Sequence, residues 1–330
     1  MVQEKGYYEK IITHNDFDGI ISAALCAQIL SIGKILFAGP LTITRSQITI
    51  TEKDVVCDLP YPLRCGLWFD HHEGNVQELG YRRIDPGSIP GRFDLKPSCS
   101  RVVYEYFLER MNLPSYMEMA VKEADIIDSF SFASIEDWRA ETPGKVIDLT
   151  MKVHFPSPED QASHMRNLVR ELRDRSIEEV SQLEFVQKKF KQYQEEEGRM
   201  LKIIRDSSYF IEEDVKKEVA VIDLTSYQRR PHLIKNLALL LYPEALGVVE
   251  VYNLTEQGVK SNHIGFSMAL SIQGNRRNHK KNIGEIMRTL NIGDGHPGAA
   301  AGTARCSSKQ EMLKKKKGIL NQIFKLWSSQ

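Results

Sequence analysis

One imidazole and two carboxylates occupy alternate positions in the segment THNDFDG, residues 13–19. His14, Asp16 and Asp18 follow directly after the apolar pair Ile11-Ile12. Two like charges at such short spacing repel each other, so a positive charge between them would stabilise the arrangement. Imidazole and carboxylate are ligands that suit hard or borderline divalent cations such as Mn²⁺ and Mg²⁺. The segment is therefore a candidate metal-binding site.

Later segments supply further ligands of the same kind. VVCD ends at Asp58, FDHHE contains Asp70, His71 and His72, and a helical run contains Asp125. Added to the first segment, Asp58, His71 and Asp125 are enough ligands for two ions that share a bridging carboxylate. Two such ions, about 3.5–4 Å apart, clamp a bridging hydroxide and the phosphoryl oxygens of a substrate.

Each of these segments also has a simpler structural explanation. Acids at strand-to-helix turns are commonly N-caps, and Asp18 precedes a predicted helix. His71 and His72 could form a surface loop pair, and Asp58 could merely terminate a strand. One at a time, these explanations are the more common ones. Taken together, these explanations are less probable than a shared binding site, because all of the residues fall at one edge of one predicted sheet.

That sheet is predicted from short apolar runs that alternate with helical patterns through the first 150 residues. Strands are expected in KIITHND, KILFAG, DVVCDLP and CGLWFDHH, with a helix over residues 20–31 between the first two. This alternation predicts an open parallel sheet covered by helices. The carboxyl ends of the strands form the ligand crevice in such sheets, and three of these strands end in the acids and histidines named above.

The rest of the chain predicts a two-domain α/β fold. An N-terminal parallel-sheet domain over 1–155 also contains helices in SCSRVVYEYFLERM and SYMEMAVKEADIID. A charge-rich, glycine-poor stretch over 156–206 has apolar residues at helical spacing and predicts a long helical connection. A smaller C-terminal α/β domain over 207–330 follows, with strands in EVAVIDLTS, LGVVEVYNL and HIGFSMALSIQ. Helices around HLIKNLALLLY and IGEIMRTL complete it, and KKKKGILNQIFKLW predicts a final amphipathic helix that docks on this domain.

Composition limits the partners of the protein. The 330 residues include 44 Lys and Arg against 44 Asp and Glu, so any anionic ligand must be recognised locally. Five scattered cysteines without a CxxC pair, and a polar N-terminus without a leader pattern, lead us to expect a cytoplasmic protein. We expect no membrane partner, because the most apolar stretch is too short and broken to span a bilayer. The oligomeric state is left open, a homodimer included.

Five segments in chain order resemble the motifs of the DHH phosphoesterase superfamily, over nearly the whole sequence. They are HNDFDG, VVCD, FDHHE, EADIIDS and GDGHPGAAAG. The third holds Asp70-His71-His72, the signature for which the family is named. The resemblance implies a DHH metal-binding catalytic domain, a helical connection and a DHH-associated substrate-binding domain, with the boundaries given above. It also implies two divalent metal ions, usually Mn²⁺, with Mg²⁺ as the alternative.

By motif position, the resemblance assigns six metal ligands, of which Asp58 bridges the two ions. These ligands are His14, Asp16, Asp18, Asp58, His71 and Asp125. The fourth motif also offers Asp128, which precedes a serine, as the alternative to Asp125. In the catalytic set, Asp70 resembles a residue that orients its neighbours, and His72 resembles one that meets the phosphate.

The glycine-rich segment 293–302 is the expected phosphate-binding motif of the second domain. Gly293, Gly295 and Gly298 would let backbone amides approach a phosphate closely, and His296 could donate a hydrogen bond to it. The small residues 299–302 fit the N-terminal turn of a helix. A tight loop with a tolerated histidine is the alternative.

Two features in or near this segment affect the prediction that it binds phosphate. Asp294 stands where the family usually has glycine, and an acid there could weaken anion binding, point outward or reflect a different substrate. Arg276 and Arg277, with His279 and Lys280, form a local basic cluster that could bind further phosphates. A solvated turn explains that cluster equally well.

The resemblance implies a hydrolase of phosphoric esters, in which a metal-bound hydroxide attacks phosphorus. The neutral charge balance favours a short oligonucleotide or nucleotide substrate, as for a short-oligonucleotide exonuclease, over long strands. The main alternative is an exopolyphosphatase-like or pyrophosphatase-like hydrolase acting on polyphosphate. A non-catalytic sensor of phosphate ligands is a third hypothesis, but such a protein would be expected to have lost some of the acidic metal ligands.

Overall fold

The computed structural model describes residues 6–276 and 281–330, without the side chains of residues 275 and 276. The described chain forms two compact units. The first consists of residues up to 131 together with 140–194, and the second consists of 132–139 together with 195–330. Both contain a β-sheet and helices, as the predicted α/β class requires. None of the described helices is long and apolar enough to cross a membrane.

A five-stranded parallel sheet forms the first unit, in the order β2-β1-β3-β4-β5. The strands are β1 (Lys10–Thr13), β2 (Ile35–Phe37), β3 (Asp54–Cys57), β4 (Leu67–Asp70) and β5 (Gly91–Phe93). The predicted parallel sheet is therefore confirmed, and its first four strands lie in the four predicted runs. The fifth strand, GRF, was not predicted because it has neither an apolar run nor a clear alternation.

Helices of the first unit surround a central helix, α1, in which almost every residue is buried. A helix that is apolar on all sides belongs in a core, and α1 contacts α4, α5 and α8. The first-unit helices are α1 (Phe17–Leu30), α2 (Pro40–Thr44), α3 (Glu73–Tyr81), α4 (Cys99–Leu108), α5 (Tyr116–Asp128), α7 (Pro143–Met151), α8 (Pro158–Asp174) and α9 (Ile177–Ser181). Helix α6 (Ile135–Arg139) lies in the second unit, and α10 (Glu184–Ser207) continues from the first unit into the second.

The first unit extends beyond the predicted boundary at Phe155, because α8 packs on its core. Leu168 and Val169 of α8 are fully buried. The hydroxyl of Tyr116 on α5 accepts a hydrogen bond from Gln28 of α1 and donates one to the carbonyl of Arg173 at the end of α8. The predicted connection therefore begins with helices that belong to the first unit.

A six-stranded mixed sheet forms the second unit, in the order β10-β11-β9-β8-β7-β6. The strands are β6 (Ser208–Tyr209), β7 (Val219–Asp223), β8 (Gly247–Glu256), β9 (Val259–Leu270), β10 (Gly293–His296) and β11 (Ala299–Ala304). The later helices are α11 (Ile272–Arg276), α12 (Ile283–Thr289) and α13 (Lys309–Ser329), and short 3₁₀ helices span Pro86–Ser88 and Lys235–Leu240. Ile323 and Trp327 of α13 lie in the same core as Phe266 of β9, which confirms the docking of the final helix.

The prediction that residues 299–302 begin a helix is wrong, because this segment is part of strand β11. It pairs with β10 in an antiparallel hairpin and with β9 on its other side. Ala300 and Ala304 are buried while Ala301 and Thr303 are exposed, so burial alternates with the two-residue period of a strand. Small residues fit this pairing, since a Cβ atom on Gly293 would lie 2.0 Å from the carbonyl oxygen of Ala301.

Replacement of Leu168 tests the position of α8 in the first unit. Leu168→Ala should lower the free energy of unfolding by about 2–5 kcal/mol, because it removes a fully buried side chain from the core. The matched control is Arg170→Ala on the exposed side of the same helix, which should change the value by less than about 0.5 kcal/mol. Equal, small effects of the two changes in urea unfolding would show that α8 is a loose connection.

Candidate metal centre

The carboxyl ends of three neighbouring strands, β1, β3 and β4, carry the predicted ligands. His14 follows β1, Asp58 follows β3, and His71 follows β4. Among the described residues, three groups of side chains have ligand atoms close enough to hold a metal ion. These groups are His14 with Asp16 and Asp58, Asp58 with His71 and His72, and Asp18 with His71 and Asp128. The acidic residues at this edge could therefore bind a metal ion.

Asp58 is the residue that links these groups. Its Oδ1 lies 3.6 Å from Nε2 of His71 and 3.6 Å from Nδ1 of His72, and its Oδ2 lies 3.6 Å from Nδ1 of His14. Its side chain is buried, and neither carboxylate oxygen has a hydrogen-bond partner among the described residues. Its backbone has φ of 57°, a left-handed conformation that costs energy for a residue with a side chain. A buried, unpartnered carboxylate on a strained backbone is expected at a functional site.

The first segment folds around the start of α1. Oδ1 of Asp16 caps the helix by accepting a hydrogen bond from the amide of Gly19 at 2.9 Å, and its Oδ2 lies 2.5 Å from Nδ1 of His14. Gly19 cannot be replaced by a larger residue without strain, because a Cβ atom would lie 2.3 Å from the carbonyl oxygen of His14. The glycine that ends the segment thus permits the close turn that holds His14 and Asp16 together.

His71 is oriented by the backbone on its other side. Its Nδ1 lies 3.0 Å from the carbonyl oxygen of Lys96, which can only accept, so Nδ1 carries the proton of that hydrogen bond. Its Nε2 is buried, has no hydrogen-bond partner in the part of the chain that the structure describes, and lies 3.5 Å from Oδ2 of Asp128 and 3.9 Å from Oδ2 of Asp18. A histidine held in this way through Nδ1 leaves Nε2 as the nitrogen for a metal ion.

The acids at this edge are difficult to ionise together. Burial raises the pKa of Asp18 well above its usual range, and the carboxylates of Asp58 and Asp128 raise it further. Burial, with the carboxylates of Asp16 and Asp58, raises the pKa of Asp128 to about 7. A cation bound among these side chains would favour their ionised forms.

The same carboxylates raise the pKa values of the histidines among them. Burial alone would lower the pKa of His14, but the hydrogen bond to Asp16 and the nearby carboxylate of Asp58 outweigh it and raise the pKa to about 10. For His71, burial is likewise outweighed, chiefly by Asp58 and then by Asp18, and the pKa rises to about 10. Protonated imidazoles can thus balance part of the negative charge, a role that a metal ion would take over.

Asp125 and Asp128 occupy different environments, although both lie on the last turn of α5. Asp125 does not belong to any of the three groups, because its carboxylate is bound by Arg101 and Ser98. Asp128 lies three residues further along, at the end of α5, and faces His71. The structure therefore brings the alternative residue of the fourth motif to the cluster in place of the favoured one. Which of the two residues binds a metal ion stays a prediction.

Asp70 and His72 form a hydrogen-bonded pair next to the cluster. Oδ1 of the fully buried Asp70 lies 2.9 Å from Nδ1 of His72, and its Oδ2 accepts a hydrogen bond from Nδ2 of Asn75 at 2.7 Å. Burial alone would lower the pKa of His72, but the hydrogen bond to Asp70 raises it. Asn75 was missed by sequence reasoning, and its place in the first turn of α3, three residues after His72, was the available signal.

The glycine-rich hairpin of the second unit contains a charge pair of its own. Oδ1 of Asp294 accepts hydrogen bonds from the amide of Gly295 at 2.8 Å and from Nη1 of Arg288 at 2.6 Å. These bonds lower the pKa of Asp294, so its charge is held and paired with that of Arg288. His296 accepts a hydrogen bond through Nδ1 from the amide of Gly298 at 3.2 Å. Arg288 was not singled out in the sequence.

Most of the predicted basic cluster cannot be compared with the structure. Arg277, His279 and Lys280 lie outside the described residues, and Arg276 ends α11 with a side chain that is not described. The role of these four residues in binding phosphate stays a prediction.

Comparison with known proteins gives matches among solved structures only. No family model and no curated protein matches the sequence. A pGpG-specific phosphodiesterase, PggH from Vibrio cholerae, matches with a TM-score of 0.70 and 23% identity over 96% of this chain and 98% of that one. The DHH domain of a member of the s1p family of ribosomal proteins matches with a TM-score of 0.58 and 12% identity, over 97% and 86% of the two chains.

The chain has the DHH phosphoesterase fold. RecJ from Thermus thermophilus, in complex with Mn²⁺, matches with a TM-score of 0.55 and 14% identity, over 97% of this chain but 52% of RecJ. The resemblance of the five sequence motifs to the DHH superfamily is thus confirmed for the fold. The DHH signature, Asp70 to His72, stands at the end of β4, beside the other candidate ligands.

Two observations show that the residues of the candidate site suit a divalent metal ion. Both carboxylate oxygens of Asp58 and Nε2 of His71 are buried without hydrogen-bond partners among the described residues. Such atoms are costly unless a partner is supplied, and the imidazole and carboxylate donors around them are those that Mn²⁺ and Mg²⁺ accept.

Replacement of Asp58 tests this fit. Asp58→Asn keeps the shape of the side chain and tolerates the left-handed backbone, but it removes the charge that links the groups. We expect Mn²⁺ affinity to fall by at least about 100-fold in equilibrium dialysis, because the carboxylate that two of the three ligand groups share is lost. The folded state without metal should not be destabilised, since the substitution removes a buried carboxylate that has no hydrogen bond among the described residues and that repels Asp18 and Asp128.

The half-exposed Asp94, which pairs with Lys96, provides the matched control. Asp94→Asn should bind Mn²⁺ as the unaltered protein does. Unchanged Mn²⁺ binding by Asp58→Asn would remove Asp58 from the site.

Proposed function

We propose that the protein is a metal-dependent phosphoesterase that binds two divalent ions, Mn²⁺ in preference to Mg²⁺. The observation that carries this proposal is the buried, unpartnered carboxylate of Asp58, which lies 3.6 Å from histidines of two ligand groups. One ion would be held by the group of His14, Asp16 and Asp58. The other would be held by Asp18, His71 and Asp128, with Asp58 shared between them.

When bound, such ions would polarise the phosphoryl group and lower the pKa of the attacking water. The residues of the chain supply orientation and proton control around this chemistry. The carbonyl of Lys96 fixes the ring of His71 through Nδ1, and Asp70 fixes the ring of His72 in the same way. Asp70 also raises the pKa of His72, which favours a protonated imidazole that can meet a phosphate oxygen.

The second unit is proposed to bind the remainder of the substrate. The glycine-rich hairpin would bind a phosphate at its turn, next to His296, where the amides of Gly295 and Gly298 would exchange their hydrogen bonds to Asp294 and His296 for phosphate oxygens. Asp294 is already paired with Arg288, so it adds little net negative charge to the hairpin. Gly293, Gly295, His296 and Gly298 therefore remain the proposed substrate-binding residues of this unit.

A short linear oligonucleotide is the substrate class that we propose. The balanced charge of 44 basic and 44 acidic residues gives no sign of the continuous basic groove that a long strand requires. PggH, which matches along 98% of its length, carries the name of a phosphodiesterase specific for pGpG. This linear dinucleotide is accordingly the first substrate to test.

A length series tests the substrate class. With Mn²⁺, kcat/KM for a dinucleotide should exceed that for a ten-residue single strand by about 10-fold or more, because each further phosphate needs a basic partner and the balanced net charge gives no general attraction for a long anion. Removal of metal with a chelator should abolish hydrolysis, and added Mn²⁺ should restore it. Asp58→Asn serves as the inactive control.

Three outcomes of this series would contradict the proposal. Efficiency that rises through ten or more nucleotides would favour a processive exonuclease. Preference for polyphosphate of equal charge would favour the exopolyphosphatase-like alternative. Tight binding of dinucleotide and Mn²⁺ without any hydrolysis would favour a sensor.

A further inference from the structure

Asp125 lies on α5 beside the candidate metal centre, and its carboxylate is fully engaged by other side chains. Its Oδ1 accepts a hydrogen bond from the hydroxyl of Ser98 at 2.6 Å. Its Oδ2 accepts two from Arg101, from Nε at 3.0 Å and from Nη2 at 2.5 Å. Ser98 is the N-cap of α4, and Arg101 is the third residue of that helix. Asp125 therefore ties α5 to the first turn of α4.

The same turn of α4 holds Asp18. The amide of Cys99 donates to Oδ2 of Asp18 at 2.6 Å, and the amide of Ser100 donates to Oδ1 at 2.8 Å. Each oxygen of this buried carboxylate is thus fixed by an amide of a helix N-terminus, where the partial positive charge favours an anion. The direction in which Asp18 faces His71 depends on where this turn lies.

A helix cap alone would not fix that position. Ser98 accepts the amide of Arg101 at 3.1 Å, which closes the end of α4 but does not set its place relative to other helices. Asp125 belongs to a different helix, α5, and binds both Ser98 and Arg101. It therefore connects the first turn of α4 to α5. The chain of contacts runs from Asp125 through the first turn of α4 to Asp18.

We infer that Asp125 is a positioning residue for Asp18, acting through Ser98 and the first turn of α4, and that it is not a metal ligand. The inference rests on the metal centre proposed above. Without Asp125, the first turn of α4 would lose its side-chain connection to α5, and packing alone would hold the direction of the oxygens of Asp18 less strictly. Partners that orient a ligand typically change metal affinity by about 10–100-fold when they are removed.

The test measures Mn²⁺ binding to the full-length folded protein by equilibrium dialysis, with thermal unfolding of the metal-free protein alongside. Asp125→Ala should weaken one of two ions by about 10–100-fold and leave the other within about 3-fold. The weakened site should be the one that Asp18→Asn removes. Asp125→Asn should weaken that ion less than Asp125→Ala does, because its amide oxygen can still accept from Ser98 although the two hydrogen bonds from Arg101 are lost.

Two further variants separate the anchor from general stability. Ser98→Ala should weaken the same ion, and its combination with Asp125→Ala should be no worse than either change alone, because both break one connection. Glu118→Ala is the matched control, since Glu118 is a half-exposed acid on the same helix that pairs with Lys122. It should leave both ions unchanged.

Several results would overturn the inference. Loss of one ion in Asp125→Asn, as expected for Asp128→Asn, would make Asp125 a ligand itself. A lower unfolding temperature of Asp125→Ala with both affinities unchanged would leave only a structural role. If Asp125→Ala does not fold, unchanged affinities in Ser98→Ala would overturn the inference equally. An unaltered protein that binds no Mn²⁺ would instead overturn the proposed metal centre, and the inference with it.

Discussion

Buried negative charge at one edge of the first sheet is the constraint on which the rest of the site depends. The carboxylates of Asp18, Asp58 and Asp128 lie around His71, and burial with mutual repulsion raises the pKa of Asp18 and brings that of Asp128 to about 7. Metal-free, the fold can hold these acids ionised only at a cost in free energy. A divalent ion bound among the carboxylates would offset that cost through its positive charge, which an apolar side chain does not supply.

The fold meets this constraint mainly with backbone groups. Parallel strands deliver His14 and Asp58 to one edge, and the absence of a side chain on Gly19 allows α1 to start directly beside His14. The carbonyl of Lys96 and the amides of α4 then set the directions of His71 and Asp18. Ligands held by strand ends and helix ends are less mobile than ligands on free loops, which favours a preformed site.

Much of this arrangement could be predicted from the sequence, because strand periodicity and the carboxyl-end rule depend on local patterns. What the sequence left open, missed or predicted wrongly depended on how these elements pack against one another. The choice between Asp125 and Asp128 is set by how α5 is rotated against α4, and the strand at Ala299 is set by pairing with β9 and β10. The pairing of Arg288 with Asp294 likewise requires α12 to pack beside the hairpin. No local pattern encodes these contacts.

Electron paramagnetic resonance of the protein titrated with Mn²⁺ tests the central claim most directly. Two ions that share the carboxylate of Asp58 would lie about 3.5–4 Å apart and would be magnetically coupled. The account predicts two Mn²⁺ per chain and a coupled spectrum that replaces the spectrum of isolated ions as the second ion binds. A single bound ion, or two ions whose spectra simply add, would contradict a centre built around one shared carboxylate.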